Sequence, residues 1–242
     1  MLREIKLTDH KTQAEINREW DEIVPARDAQ QRSGDVSFLR VLRPWIGARV
    51  HGARRVLDVG CGSGRLTKTL RSAGAQVVGV DPSPRSISLA KKADPSGEYH
   101  VGTLESWVNQ NPEADFDLAV ANMVLMDAPD LDGMLAALAR VVPGGRLVAT
   151  IAHPAFWPMY LGYAANKAFD YGSEVFVEAP YVVNQRQFGS ATTHIHRPVS
   201  RYISAFASAG MTITRMEELR GTEPEEAFPF PRFLAIEAQV TA

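Results

Sequence analysis

The 242-residue sequence contains a single cysteine, Cys61, and no long apolar run. One thiol cannot form a disulfide within its own chain, which favours a reducing compartment such as the cytoplasm. No stretch approaches the roughly 20 consecutive apolar residues that a membrane-spanning helix needs. We therefore expect a cytoplasmic protein with no membrane partner.

Strong charge of one sign is also missing, since 26 Lys and Arg face 28 Asp and Glu. Nucleic-acid binders neutralise phosphates with clustered basic residues. The closest approach to such a cluster is five arginines spread over residues 40–55, which an exposed helix face explains better. A nucleic-acid partner is not expected, and the sequence is compatible with a monomer or a homodimer.

From residue 55 onwards, short apolar runs alternate with amphipathic segments. Predicted strands cover residues 55–59, 76–80, 99–101, 116–121, 146–152, 211–219 and 233–240, and predicted helices cover residues 65–73, 85–93, 105–109, 131–142 and 201–209. This alternation is typical of a parallel sheet with helices on both faces. No clear helix separates the last two strands, which we expect to form an antiparallel hairpin at the sheet edge.

Two parts of the chain depart from this pattern. Residues 11–31 and 35–49 are predicted to be helical, whereas residues 153–198 are aromatic-rich and lack regular periodicity. A segment of that length predicts a functional insertion such as a lid, although its aromatic residues could simply pack onto the sheet. We predict four segments: a helical cap (1–50), a ligand-binding core (51–153), a lid insertion (154–198) and the rest of the core sheet (199–242).

The strongest local signal is a glycine-rich turn directly after the first predicted strand. Residues 56–66 read V-L-D-V-G-C-G-S-G-R-L, with glycines at positions 60, 62 and 64. Glycine allows a tight backbone turn and lets a ligand approach without a Cβ in the way. Nicotinamide and flavin binders use G-x-G-x-x-G, and residue 65 is Arg here, which disfavours a dehydrogenase.

An acid follows at the end of the second predicted strand, because Asp81 lies 21 residues after Gly60. A carboxylate at that place can accept hydrogen bonds from both hydroxyls of a ribose. The turn, the acid and their strand context together indicate a cofactor site rather than a structural turn.

Residues 56 to about 151 resemble the class I, Rossmann-like methyltransferases, a group that includes ubiquinone and many natural-product methyltransferases. The resemblance implies S-adenosylmethionine as cofactor and S-adenosylhomocysteine as product. It also implies an α/β fold with a mostly parallel seven-stranded sheet whose last strand is antiparallel. The N-terminal helical segment and the aromatic-rich lid after the fifth strand would be added to that sheet.

The resemblance assigns roles to individual residues. Asp58 would help hold the methionyl end, and Asp81 would bind the ribose. The implied cofactor contacts are Asp58, Gly60, Cys61, Gly62, Gly64, Asp81, Pro82, Thr103, Leu104, Glu105, Asn122 and Met123. The family often has an acid where this chain has Thr103, so either Glu105 or a backbone carbonyl would bind the adenine amino group. Cys61 would contribute its backbone.

The acceptor should bind near the carboxyl ends of the strands, and an oxygen or protonated nitrogen acceptor must also lose a proton. His153 directly follows the fifth predicted strand and is a candidate base, unless it only caps the strand end. His196 is the second candidate, because its segment H-R-P-V-S-R-Y resembles one beside the acceptor pocket of some small-molecule methyltransferases. Trp20, Trp157, Tyr160 and His194 are candidate acceptor contacts.

No metal is expected, because His153, His194 and His196 lack an acidic partner at ligand spacing.

The segment A-N-M-V-L-M-D after the fourth strand has neither the Pro-Pro-aromatic motif of amino-methylating DNA enzymes nor the paired glutamates of arginine methyltransferases. We therefore expect a small-molecule acceptor methylated on O, N or C. The alternatives are a non-enzymatic cofactor-binding protein and a methyltransferase acting on protein or RNA.

Overall fold

The computed structural model describes residues 5–32, 36–183 and 186–241. Its elements in chain order are β1 (Lys6–Thr8), α1 (Gln13–Glu22), α2 (Val24–Arg32), α3 (Arg43–Gly47), β2 (Arg55–Val59), α4 (Arg65–Ser72), β3 (Gln76–Asp81), α5 (Pro84–Ala93), β4 (Glu98–Val101), α6 (Leu104–Gln110), β5 (Leu118–Asn122), α7 (Leu131–Val141), β6 (Arg146–Ala152), α8 (Trp157–Leu161), β7 (Val175–Val183), β8 (Arg186–His196), α9 (Val199–Ser208), β9 (Met211–Leu219) and β10 (Phe233–Val240). A π-helical turn (Phe38–Leu42) precedes α3, and 3-10 turns cover Leu125–Asp127 and Tyr163–Ala165.

The main sheet has seven strands in the order β4-β3-β2-β5-β6-β10-β9. Strands β4, β3, β2, β5 and β6 are parallel, and β10 is antiparallel to both β6 and β9. The predicted α/β sheet with an antiparallel last strand is confirmed. The last strand, β10, lies inside the sheet between β6 and β9, so β9 forms the edge of the sheet.

Helices cover both faces of this sheet, as the sequence pattern predicts. Side chains alternate across each strand, so Val56 packs with α3 and α4 while Leu57 packs with α6, α7 and α9. The central strands β2, β5 and β6 are buried almost throughout. Burial on both faces explains why they are continuous apolar runs in the sequence.

The insertion forms regular structure that the sequence analysis missed. Strands β7 and β8 are an antiparallel hairpin, and β1 pairs with β7 to make a separate three-stranded sheet. Helix α1 packs on this sheet through Ile16, which lies with Phe176 and Ile195 in a small buried cluster. The N-terminal segment and the insertion therefore build one cap together, although the four-segment division itself stays a prediction.

The cap is also joined to the main sheet through the start of α5. Ser83 caps this helix by accepting a hydrogen bond from the Ser86 amide at 3.0 Å, and Pro84 occupies its first turn. The Ser83 hydroxyl in turn donates to the Asp21 carboxylate at the end of α1, at 2.5 Å. This bond fixes α1 above the loop between β3 and α5. In the described part of the chain, no helix is long and apolar enough to cross a bilayer.

Gly64 is expected to be less replaceable than Gly62 for the stability of the fold. Its φ is +74°, and an added Cβ would lie 2.7 Å from the buried Tyr99 hydroxyl. Gly64→Ala should therefore lower the free energy of unfolding by about 2–5 kcal/mol, from left-handed strain and overpacking together. Gly62→Ala is the matched control, because its φ is +55° but a Cβ there meets nothing within 4 Å. Equal losses for the two variants in urea denaturation would contradict the packing argument.

Candidate active site

The glycine turn is fixed against the next strand by its own backbone. The amides of Gly60 and Cys61 both donate to the Val80 carbonyl, at 2.8 and 3.2 Å. A Cβ on Gly60 would collide with the Val124 side chain, so glycine is needed for the turn to approach the segment after β5. The turn therefore lies directly between the ends of β3 and β5.

Asp81 holds two turns of the backbone at once. Its Oδ2 accepts from the Gly62 amide and its Oδ1 from the Ser83 amide, both at 2.9 Å. Burial raises the pKa of Asp81, and the two amide bonds act in the opposite direction. Since each carboxylate oxygen has two lone pairs, the group can still accept further hydrogen bonds from a ligand.

Asp81 lines a pocket at the carboxyl ends of the parallel strands, which we call the strand-end pocket. It has an empty volume of about 770 Å³ and is lined by Gln13, Ile16, Asn17, Trp20, Arg27, Val59, Gly60, Val80, Asp81, Pro82, Ser83, Ser86, Gly102, Thr103, Leu104, Glu105, Asn122, Met123, Val124, Asp127 and Met134. Eight of the twelve predicted cofactor contacts are in this set. Asp81 and the segment from Thr103 to Glu105 therefore line the same space, while their contacts with a cofactor stay a prediction.

A second, larger pocket lies between the main sheet and the cap, and we call it the cap pocket. Its empty volume is about 2110 Å³, and it is lined by Trp20, Arg27, Val36, Ser37, Phe38, Leu42, Asp58, Gly60, Cys61, Gly62, Ser63, Arg65, Leu66, Asn122, Met123, Met126, Asp127, Ala152, Trp157, Tyr160, Leu161, Ala179, Pro180, Tyr181, Thr192, His194, Thr222, Glu223, Arg232 and Phe233. Asp58, Cys61 and Gly62 belong to this set, whereas Gly64 lines neither pocket and packs against Tyr99 and Ala90 instead.

Asp58 is a buried acid beneath the turn. Its Oδ2 accepts a hydrogen bond from the Thr67 hydroxyl at 2.6 Å. Burial raises the pKa of Asp58 to about 7, the nearby Asp81 charge adds to that rise, and the Thr67 bond opposes it. Burial also raises the pKa of the Cys61 thiol, which therefore stays protonated and is a poor nucleophile.

The chain turns sharply after β5, where the two pockets meet. Met123 has a φ of +59°, and it is the only non-glycine residue with a positive φ in the described part of the chain. Its amide donates to the Thr150 carbonyl at 2.8 Å, and the Asn122 side chain accepts from the Thr150 hydroxyl at 2.9 Å. Strained backbone of this kind clusters at functional sites. Both residues line both pockets, and their contact with the methionyl part of a cofactor stays a prediction.

The four predicted acceptor contacts, Trp20, Trp157, Tyr160 and His194, all line the cap pocket. The Trp157 and Tyr160 rings stack with centroids 5.1 Å apart, and the Arg232 guanidinium lies 4.4 Å from the Tyr160 centroid. Aromatic walls of this type suit a flat apolar ligand. Contact with an acceptor stays a prediction for all four residues.

The structure does not support His153 as a base. Its Nδ1 accepts from the Ala155 amide at 3.2 Å, so Nε2 carries the proton and donates to Glu218 at 2.9 Å. The ring is buried and lines neither pocket, because β6 ends below the cap. His153 thus caps the strand end, which is the alternative that the sequence left open.

His196 is likewise turned away from both pockets. Its Nε2 donates to the Tyr171 carbonyl at 3.1 Å, and its ring packs 4.7 Å from that of Phe169. His194 faces the cap pocket, and its Nε2 shares a hydrogen bond with the Tyr163 hydroxyl at 3.3 Å. Burial lowers the pKa of His194 to about 3, so it is neutral and weakly basic at pH 7. No group of three metal-ligating side chains is found among the described residues.

Two polar groups that the sequence analysis missed lie at the junction of the pockets. Asp127 ends the 3-10 turn after β5, and Arg27 reaches the same place from α2. The Oδ1 of Asp127 and the Nε1 of Trp20 are buried and have no hydrogen-bond partner among the described residues. The sequence could have identified Asp127, because an acid in the loop after a parallel strand lies at the ligand-binding edge of the sheet.

Comparison with known proteins agrees with this geometry, since residues 57–149 match a family model described as a methyltransferase domain. The chain carries a class I, S-adenosylmethionine-dependent methyltransferase domain. It is 36% identical over 117 residues to ribosomal protein L11 methyltransferase of Ralstonia pickettii, covering 48% of this chain and 38% of that protein. It is 39% identical over 101 residues to ubiquinone biosynthesis O-methyltransferase of a Bradyrhizobium strain, and the match covers 40% of this chain and 39% of that protein. The matches thus span about two fifths of each relative.

Solved structures extend the similarity in fold to almost the whole chain. The 1,6-didemethyltoxoflavin-N1-methyltransferase of Burkholderia thailandensis, with bound 1,6-didemethyltoxoflavin and S-adenosylhomocysteine, has a TM-score of 0.65 at 18% identity, covering 99% of this chain and 96% of that one. The [4+2]-cyclase SpnF has a TM-score of 0.67 at 14% identity, and the alignment covers 98% of this chain and 100% of that one. At these identities the similarity concerns the fold alone. The aligned region includes both the methyltransferase domain and the cap.

A cofactor bound through Asp58 would have a pH-dependent affinity, because burial raises the pKa of this carboxyl to about 7. If Asp58 binds the methionyl ammonium, only its carboxylate form contributes, so affinity should rise with pH through about 7 and then level off. Between pH 6 and pH 8 the expected gain is about tenfold in calorimetry with S-adenosylhomocysteine. Asp58→Asn should reduce that gain to less than about threefold, because it removes this titration. An unchanged slope in the variant would show that another group titrates.

Proposed function

We propose that this protein transfers the methyl group of S-adenosylmethionine to a small-molecule acceptor held in the cap pocket. The observation that carries the proposal is the junction of the two pockets, which share six lining residues: Trp20, Arg27, Gly60, Asn122, Met123 and Asp127. A cofactor in one pocket and an acceptor in the other would meet at this junction. Such a meeting point supports in-line displacement, which depends on the positioning of the reacting atoms.

The residues of the strand-end pocket, together with those of the adjoining glycine turn, fit the chemistry of the cofactor. The cofactor supplies an electrophilic methyl group on a sulfonium. Asp81 would accept the ribose hydroxyls, Asp58 the methionyl ammonium, and the segment from Thr103 to Glu105 would flank the adenine. Gly62 leaves open space where a Cβ would otherwise stand.

The cap supports a small acceptor rather than a macromolecule. The hairpin of β7 and β8, together with α1, covers the cap pocket, and aromatic side chains line it. Aromatic walls of this kind favour a small, flat compound over a polypeptide or an RNA strand. One relative is named for ubiquinone biosynthesis and favours this class, while the ribosomal protein methyltransferase makes a protein acceptor the alternative.

A second candidate is a protein that binds the cofactor without transferring its methyl group. The similarity in fold to a [4+2]-cyclase supports it, because that chain is covered completely. The two candidates differ in whether S-adenosylhomocysteine is formed.

Calorimetry should test the cofactor site through Asp81. Asp81→Asn removes the charge and one acceptor while keeping the side-chain shape, so affinity for S-adenosylmethionine should fall about 10- to 100-fold. Asp94→Asn is the matched control, because Asp94 pairs with Arg71 and lines neither pocket. It should change the affinity less than about twofold. Equal affinities of the Asp81 variant and the wild type would exclude the assigned ribose site.

Turnover is tested by the release of S-adenosylhomocysteine with a panel of flat phenols, aromatic acids, N–H heterocycles and amines. We expect release with at least one ring compound and none with purified ribosomal protein. Release with the protein alone would replace the small-molecule proposal. Tight cofactor binding with no release from either source would favour the non-transferring candidate.

A further inference from the structure

The turn after β5 places a carboxyl group at the junction of the two pockets. Asp127 lines both of them, and its Oδ1 is buried without a hydrogen-bond partner in the described part of the chain. An unsatisfied buried carboxyl destabilises the fold. A carboxyl kept at such a place is typical of a group that pairs with a ligand or takes part in the reaction.

The backbone on either side of Asp127 is held by one buried cation. Arg197 donates through Nη1 to the Leu125 carbonyl at 3.3 Å and through Nη2 to the Ala128 carbonyl at 2.7 Å. Its Nε donates to Glu174 of the insertion at 2.9 Å. These bonds fix the turn through its main chain, so the side chain of Asp127, a lining residue of both pockets, is held in position.

The charges around Asp127 suit a group that gains and loses a proton. Burial raises the pKa of Asp127 well above its usual range, while Arg27 from α2 and Arg197 from the end of β8 favour the charged form. Tyr202 of α9 is the other titratable group that faces it, and burial keeps that hydroxyl protonated. A carboxylate with a raised pKa is a stronger base than an exposed one. His194 is the competing base, but its low pKa makes it a weak one.

We propose that Asp127 accepts the proton that the acceptor loses, and that the acceptor is therefore a ring compound with a hydroxyl or N–H nucleophile. This inference rests on the proposed function. The acceptor oxygen or nitrogen forms a bond to the methyl carbon as the carbon–sulfur bond breaks. Sulfur keeps the electron pair, and the proton passes to the Asp127 carboxylate. Trp20, whose Nε1 is buried without a hydrogen-bond partner in the described part of the chain, lines the same junction.

The position of Asp127 can be tested without knowing the acceptor. The cofactor analogue sinefungin carries a protonated amine where the cofactor has its sulfonium methyl, whereas S-adenosylhomocysteine has no group there. Asp127→Asn should weaken sinefungin about 10- to 100-fold and S-adenosylhomocysteine less than about threefold. Glu223→Gln, which neutralises another acid lining the cap pocket, should change the ratio of the two affinities less than about twofold. Thermal unfolding checks that both variants fold.

The outcomes separate this inference from the proposed function. A wild-type protein that binds neither analogue would reject the proposed function. Wild-type binding of both analogues, with an unchanged affinity ratio in Asp127→Asn, would overturn only the role of Asp127. An equal loss of both affinities would also overturn it, because the carboxyl would then contact a part that the two analogues share.

Kinetics test the proton transfer itself on an acceptor that releases S-adenosylhomocysteine. Asp127→Asn should lower kcat at least about 100-fold with KM changed less than about threefold, and Asp127→Glu should restore part of the rate. In the wild type, kcat should rise with pH until Asp127 is ionised, and this limb should be missing in the Asn variant. A variant with the wild-type kcat or the wild-type acid limb would overturn the inference.

Discussion

The site depends on the meeting of three strand ends at one edge of a parallel sheet. Strands β2, β3 and β5 are in parallel register, so the segments that follow them emerge side by side. Gly60 lets the first of these segments pass against Val124 of the third, where any Cβ would collide. Asp81 then ties the first segment to the second through the Gly62 amide.

Local pattern was enough to predict the core sheet, for a physical reason. β2 and β6 agree with the predicted residues at both ends, since strands buried on both faces must be apolar throughout. The hairpin of β7 and β8 escaped prediction because it is only partly buried, and its pairing with β1 spans more than 160 residues of sequence. Strand pairing between residues so far apart leaves no periodic pattern in the sequence, so the segment could not be distinguished from a long loop.

The same distinction explains which site residues could be predicted. The glycine turn directly follows β2 and Asp81 ends β3, so the apolar pattern of these two buried strands is enough to locate them. The role of a histidine depends on which of its nitrogens is already bonded, and His153 is bonded on one side by Glu218, 65 residues away. Asp127 belongs to no motif. Its position is fixed by Arg197, whose bond to the Leu125 carbonyl spans 72 residues.

The cap makes the two pockets interdependent. Asp21 binds the Ser83 hydroxyl beside the ribose-binding acid, while Trp20 of the same helix packs against Tyr181 of β7, with ring centroids 6.2 Å apart. Any movement of α1 therefore changes a wall of each pocket. Arg197 extends this connection, because its ion pair with Glu174 joins the insertion to the turn that carries Asp127. Glu174 is partly exposed, so this pair contributes little net stability. Its effect is geometric, because the same guanidinium also binds the Leu125 and Ala128 carbonyls and thereby ties the insertion to the backbone on either side of Asp127.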